Sequence, residues 1–293
     1  MDIVYLNSVG QEYISKGMQT QLEAYLEEYN IRVGERYIAV VALSSGALKG
    51  VGIIEQRKFH SAREYIVLHV AENVRRRGIA SSILNRLQAL SARQKLQCLT
   101  SATDHALIGF LLKNRFSLAR KTYEVEIDQK LSAPSDLQGF QVRAFSQLNN
   151  KDLEEVERLL FLNYKKYHAS VNAIADGFTP SWFFERIKDS INMVASKALL
   201  VSSKDTGSYP VVAYFIVGEE LADAIEVAYF GGKNEADVEV YRAFFYQEAN
   251  VLLTRRAKVF FEADDTDVYM NRLVGDLANP AKWQYGTYVK NLS

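Results

Sequence analysis

Apolar positions along this chain switch between two spacings, and the sharpest switch falls between residues 64 and 87. Residues 65–70, YIVLHV, form an aromatic, β-branched and apolar run too short for a helix, which predicts a strand opening at Glu64. From Ile79 the period becomes 3.6: Ile79, Ile83, Leu84 and Leu87 share a face, which predicts a helix. The same reading predicts a strand at 2–6, then an amphipathic helix at 11–29 with Tyr13, Met18, Leu22 and Leu26 near one face. A hairpin follows at 36–57, where two apolar runs flank a serine and glycine turn. After the central segment come a strand at 95–100, a helix at 104–114 and a strand at 119–128, in which Tyr123, Val125 and Ile127 alternate.

Residues 131–139, LSAPSDLQG, read as a linker. Beyond it the pattern begins again, with a strand at 140–145 and helices at 150–168 and 180–192, the second capped by Thr179 ahead of Pro180. A second hairpin at 197–220, a strand at 224–230, a helix at 237–256 and a strand at 258–261 complete the series. Lys197 opens the second hairpin as Tyr37 opens the first, and a strand near Asp223 answers the one at Glu64. A recurring order at nearly constant offset implies two copies of one fold, in domains 1–130 and 140–293.

Between the first central strand and its helix stands Arg75-Arg76-Arg77-Gly78-Ile79-Ala80. The first four amides of a helix have no intrahelical acceptor, and the macrodipole adds about half a positive charge there, so the junction predicts an anion site. Gly78 lets a phosphate approach the main chain, and the small Ala80 and Ser81 keep that approach open. In the second copy Glu235, Asp237 and Glu239 stand in the corresponding stretch. Two like charges about 4 Å apart repel by roughly 4 kcal/mol at an effective dielectric of 20, so that copy should not hold the same anion.

The segment from Arg75 through Gly78 to Ala80 resembles the acetyl-CoA-binding motif, Q/R-x-x-G-x-G/A, of the GCN5-related N-acetyltransferase (GNAT) superfamily. The resemblance implies an α/β fold of the α+β mixed-sheet kind: two GNAT-like domains, each a mixed, mostly antiparallel sheet flanked by helices. It implies acetyl-CoA as acyl donor in the first domain, with the coenzyme held by Leu68, Val70, Arg75, Arg76, Arg77, Gly78, Ile79, Ala80, Ser81 and Asp104. The second domain is then a degenerate copy that supports the first or shapes its acceptor site. Glu64, by its spacing from Gly78, resembles the strand glutamate that serves as general base in one branch of the family. It is either that base or only the solvated first residue of a strand. His69 is the rival base, its reference pKa lying near neutrality, or else a packed residue. The family pattern on the later helix, N-x-x-A-x-x-x-Y then G-F, is met by Asp104 for the asparagine, Leu111 for the tyrosine, Arg115 for the glycine and a matching Phe116. A leucine cannot protonate a departing thiolate, so either the thiolate leaves unassisted or another residue serves.

Composition narrows the setting. The 293 residues are 48% hydrophobic and carry a formal net charge of +0, so no global field draws the chain to nucleic acid or an acidic membrane. The single cysteine, Cys98, rules out an internal disulfide framework and fits a reducing compartment, and its apolar neighbours suggest a buried inert thiol. No apolar run approaches the roughly 18 residues of a membrane helix. The expectation is a cytoplasmic monomer or homodimer that binds neither nucleic acid nor membrane. The acidic run from Glu262 to Asp267 lacks the glycine and terminal glutamate of a calcium loop, so no metal is expected; it could instead meet a cationic acceptor. Lys113 and Arg115 either reach a 3′-phosphate or form a solvated face. The leading reading is acetyl transfer to a primary amine of a small molecule or peptide; the alternative is a non-catalytic acyl-CoA-binding or interaction protein.

Overall fold

Ser45 and Gly46, both at positive φ, make a two-residue turn whose twist suits a right-handed hairpin. It joins β2 (Tyr37–Ser44) to β3 (Ala47–Glu55) after β1 (Asp2–Asn7) and α1 (Lys16–Glu28). There follow β4 (Glu64–Val70), α2 (Ile79–Leu90), β5 (Lys95–Ser101), α3 (His105–Lys113) and β6 (Ser117–Ile127). The second half comprises β7 (Phe140–Ala144), α4 (Asn150–Tyr167), the short α5 (Ala169–Asn172), α6 (Pro180–Ile187), β8 (Lys197–Val201) and β9 (Val211–Glu220). It closes with β10 (Ala224–Gly232), α7 (Val238–Leu253), β11 (Lys258–Asp264), α8 (Val268–Leu277) and β12 (Tyr285–Asn291). This computed structural model describes residues 2–7, 16–34, 37–60, 62–132, 137–202, 209–278 and 282–292. The expected start of the first helix at 11–15, residue 36 of the first hairpin, the turn of the second hairpin at 203–208 and residues 133–136 of the expected linker lie outside them.

All twelve strands form one mixed sheet, in the order β1-β2-β3-β4-β5-β12-β6-β11-β10-β9-β8-β7. Among the described residues only β4–β5 and β10–β11 pair in parallel. The halves are related as repeats, yet they exchange their last strands. β12, from the second half, lies between β5 and β6, while β6, from the first, pairs with β11. The cores follow the exchange. Tyr288 of β12 is buried with Ile83, Leu84, Leu96 and Leu111 of the first half, and Tyr123, Val125 and Ile127 of β6 with Phe215, Phe245 and Phe261 of the second.

Each half is covered on both faces. In the first, α2 buries Ile79, Ile83, Leu84 and Leu87 on one face, each such side chain contributing about 1.5–3 kcal/mol. Leu22, Tyr25 and Leu26 of α1 cover the other against Val41, Val51 and Ile53. In the second, α7 and α8 share one face with Phe244 and Leu273, and α4 and α6 the other with Leu160 and Phe184. The predicted helix at 180–192 ends at Ile187 and tightens into a 3-10 turn at Lys188–Ser190, after which Asn192 turns the chain by accepting from the amides of Val194 and Ala195 while its own amide donates to Val217. α5, α8 and β12 lie beyond the elements read from the sequence.

Candidate active site

β4 and β5 pair only at Glu64 with Leu96 and Tyr65 with Gln97, then diverge, while the other edge of β4 stays paired with β3 as far as Val70. The main chain of residues 66–70 is therefore free of β5 on its inner edge. A cleft of about 980 Å3 opens where the strands part. Leu68, His69 and Val70 form one wall, and α3 forms another through His105, Ala106, Gly109, Phe110 and Lys113, one helical face that the sequence reading represented only by Asp104 and Lys113.

The third wall is the turn into α2. Gly78 is its N-cap at φ 80°, ψ −2°, preceded by Arg76 at φ 63°. No side chain caps this helix, and its first intrahelical amide bond runs from Ser82 to the Gly78 carbonyl. The amides of Ile79, Ala80 and Ser81 thus have no helical acceptor, and all three residues line the cleft. A Cβ on Gly78 would meet nothing within 4 Å, so the glycine is required by its left-handed backbone, and the space above it is open. Arg75 Nε donates to the Val70 carbonyl at 3.0 Å, tying the turn to the end of β4. Arg76 lines the cleft; Arg77 and Arg115 do not. Asp104 caps α3 by accepting from the Leu107 amide at 2.9 Å, which sets the positive end of that helix in the cleft as well.

The two candidate bases lie on opposite faces of β4. His69 faces α1: its Nδ1 is hydrogen-bonded to the Tyr25 hydroxyl at 2.9 Å, and the Tyr29 ring packs on it at 4.1 Å. Burial, with Arg75 nearby, holds the imidazole below its ordinary pKa. The sequence reading missed Tyr25, which comes from 44 residues away. Glu64 sits at the closed end of the splay, completely buried and outside the cleft. Its carboxylate accepts from Ser91 Oγ, from Gln56 Nε2 at 2.7 Å and from the amides of Ala92 and Arg93 at 3.4 Å. The solvated strand start, one of the two alternatives for this residue, does not describe it; the carboxylate pins β4 to the loop after α2. Leu111 is buried in the core rather than in the cleft, and burial pushes the Cys98 thiol up to about 12.

Among the described residues the second half shows no such cradle. Asp237 is the residue before α7, the place Gly78 holds before α2, and Glu235 accepts from Lys166 and from the Tyr167 hydroxyl. The Tyr241 ring lies where a Cβ on Gly232 would be, 2.1 Å away. The acidic run is largely engaged: Asp264 with Thr122 and Arg120, Asp265 with the Lys121 amide, Asp267 with the first amides of α8. Among the described residues no group of three or more His, Cys, Asp or Glu could hold a metal ion, and no helix is long and apolar enough to cross a membrane.

A directional hydrogen-bond chain joins the halves beside the splay. Tyr65 donates to Asn172 Oδ1 at 2.6 Å, which leaves its oxygen to accept from His60 Nδ1, while His60 Nε2 accepts from Tyr164; Gln97 also donates to Asn172. His168 Nδ1 accepts from Arg120, whose guanidinium also pairs with Asp264 at 2.8 Å. Burial and the neighbouring arginines lower His60 to about 4 and His168 to about 3, so both are neutral near pH 7 and the contact of His168 with Asp264 is not an ion pair.

No protein-family model matches the sequence, and no curated protein matches it. Solved structures do match over the whole length. A GCN5-related N-acetyltransferase from Sphaerobacter thermophilus superposes at TM-score 0.61 with 14% identity, covering 99% of this chain and 96% of its own. A tandem GNAT protein from the clavulanic acid biosynthesis pathway gives TM-score 0.57 with 10% identity, covering 100% and 99%. With its two repeats, two splayed strand pairs and the glycine-started helix α2, the chain has the tandem GNAT fold.

Proposed function

We propose that the first half is an N-acetyltransferase that passes an acetyl group from acetyl-CoA to a primary amine of a small molecule or peptide by direct attack. One observation carries this reading: an unpaired strand edge and an uncapped, glycine-started helix meet in a single large cleft. That donor set fits the coenzyme. The amides of 79–81, backed by Arg76, suit the diphosphate, and the free main chain near Leu68 and Val70 suits the amide-bearing arm. Bound acetyl-CoA would supply the activated acyl carbon.

The chain's own residues then address the amine. Holding an alkyl amine neutral near pH 7 costs about 4.6 kcal/mol. We assign acceptance of that proton to His69, a reading supported by its position at the open end of the splay, its lowered pKa through burial and its hydrogen bond to Tyr25. With Nδ1–H donated to the Tyr25 oxygen, Nε2 keeps its lone pair. The positive end of α3 favours negative charge developing in the cleft and offsets part of what the absent tyrosine at position 111 would provide. A cytoplasmic setting, where acyl-CoA is present, suits this chemistry. The second reading, a binder without turnover, is favoured by Leu111 and by the degenerate second half.

Calorimetry with acetyl-CoA and a thiol-release assay over a panel of primary amines test the proposal. Wild type should bind and turn over at least one amine. Gly78→Val should lose at least about tenfold in coenzyme affinity, since a β-branched residue resists the left-handed turn, whereas Arg76→Ala should lose less. Equal losses would remove the backbone amides from the argument, and binding without turnover would favour the second reading.

A further inference from the structure

The second half keeps its own splay, and a cavity fills it. β10 and β11 pair only from Ala224 to Glu226 against Lys258 to Phe260 before parting. A cavity of about 410 Å3 opens there, roofed by α4 through Tyr164 and walled by Glu226 and Tyr229 of β10 and Glu262 of β11. The coenzyme route is closed at this place by Asp237, by the tethered Glu235 and by the Tyr241 ring against Gly232. Something other than a phosphate carrier fits here.

The wall carries four carboxylates, Glu226, Glu262, Asp264 and Asp267, and one guanidinium, Arg120. Arg120 is already paired with Asp264, and Asp267 is occupied by the Tyr269 and Met270 amides. Glu226 accepts one bond, from the Glu219 amide at 3.1 Å, and Glu262 has no hydrogen bond or ion pair among the described residues. Glu262 also stands directly opposite Glu124 in the β11–β6 register, and like charges so placed destabilise a sheet. Glu262 is exposed toward solvent, and partial desolvation, then the nearby Asp264, Glu124 and Glu226, push its carboxyl upward. Aromatic rings complete the wall, and a cation gains from ring faces as well as from carboxylates.

We propose that this cavity is a binding site for a small organic cation, its ammonium group held between Glu226 and Glu262 and covered by the rings of Tyr164 and Tyr229. It is separate from the acyl site. The two splays are divided by β5, β12, β6 and β11, roughly 20 Å at about 4.8 Å per strand spacing, so a cation held here is not the amine that reacts. Its charge relieves the Glu262–Glu124 repulsion where the halves join, which couples occupancy to the stability of the β6–β11 seam.

Choline and its neutral carbon isostere, 3,3-dimethylbutan-1-ol, test this on the full chain by calorimetry and thermal melting. Choline has no acylatable nitrogen, so it is not consumed by N-acylation, and the dependence of its binding on Glu226 and Glu262, which line this cavity and not the acyl cleft, assigns it here. Saturable choline binding is expected, with the isostere at least about tenfold weaker, and Glu226→Gln and Glu262→Gln should each weaken choline about tenfold while acetyl-CoA affinity stays unchanged. Without ligand, Glu262→Gln should melt higher than wild type, and choline should raise the melting temperature of wild type only. No saturable choline binding, equal binding of the isostere, or indifference to both glutamate substitutions would overturn the inference. Failure of acetyl-CoA to bind would sink the proposed acetyl transfer and leave this site untouched.

Discussion

His69 is one residue along from Leu68 on the same strand, yet it answers to a different face and to a different helix. Its neighbours decide its chemistry: burial and Arg75 lower its pKa, so the neutral imidazole persists below the ordinary histidine value. If it takes the amine proton, the acetylation rate should be limited on the acid side only below about 6.5, with that limb absent in His69→Ala. His69→Ala should also lower kcat by about 10² to 10⁴-fold with coenzyme affinity unchanged; an unaltered kcat in stopped-flow thiol release would dismiss the assignment. Gly78, Ala80 and His69 were legible because their meaning is local: a strand, a turn, a helix start. Tyr25 was not, because its contact with His69 is made only when α1 packs across the sheet.

At the scale of elements, Glu64 shows why a strand's first residue cannot be judged from the strand alone. Spacing from Gly78 suggested a base or a solvated end; the loop after α2 instead folds back and gives the carboxylate three donors, and Gln56 after β3 gives a fourth. Glu64→Gln should therefore cost about 1–3 kcal/mol in urea unfolding, since an amide sets N–H groups against donors that are already pointed inward. The pH profile of acetylation should not change, and loss of its acid limb in Glu64→Gln would return the base role to this residue. Element types were read well wherever the period was clear. α8 was missed although Asp267 caps it and Tyr269, Met270, Leu273 and Val274 share a face, a signal hidden behind the acidic run that precedes it.

Across the whole molecule, repetition could be read from the sequence and strand exchange could not. β6 and β12 are equivalent strands of two similar halves, so neither alternation nor length says which partner each will choose; contacts distant in sequence decide. The joint between the halves has a pH signature. A histidine held below its unfolded value contributes stability that is complete above about 6.5 and lost as pH falls through the folded value, here about 4 for His60 and about 3 for His168. Asp267, pushed up to about 7 by burial, acts with the opposite sign, contributing most at low pH and losing it as pH rises through about 7. The test is thus a difference: unfolding free energy should fall less steeply from pH 6.5 to 4 in His168→Asn, which keeps an acceptor for Arg120, than in wild type, and parallel curves would contradict it. A chain stopped after Trp283 should lose the cooperative melt of both halves together, and survival of either transition by calorimetry would show that β12 is dispensable.

Placing β12 between β5 and β6 also sets an order of events during synthesis. While a nascent chain grows, the N-terminal repeat emerges with its helices and most of its strands long before residues 285–291 leave the ribosome. Throughout that interval β5 and β6 present unmatched edges, the kind of surface that recruits stray strands from other chains and that holdase chaperones shield.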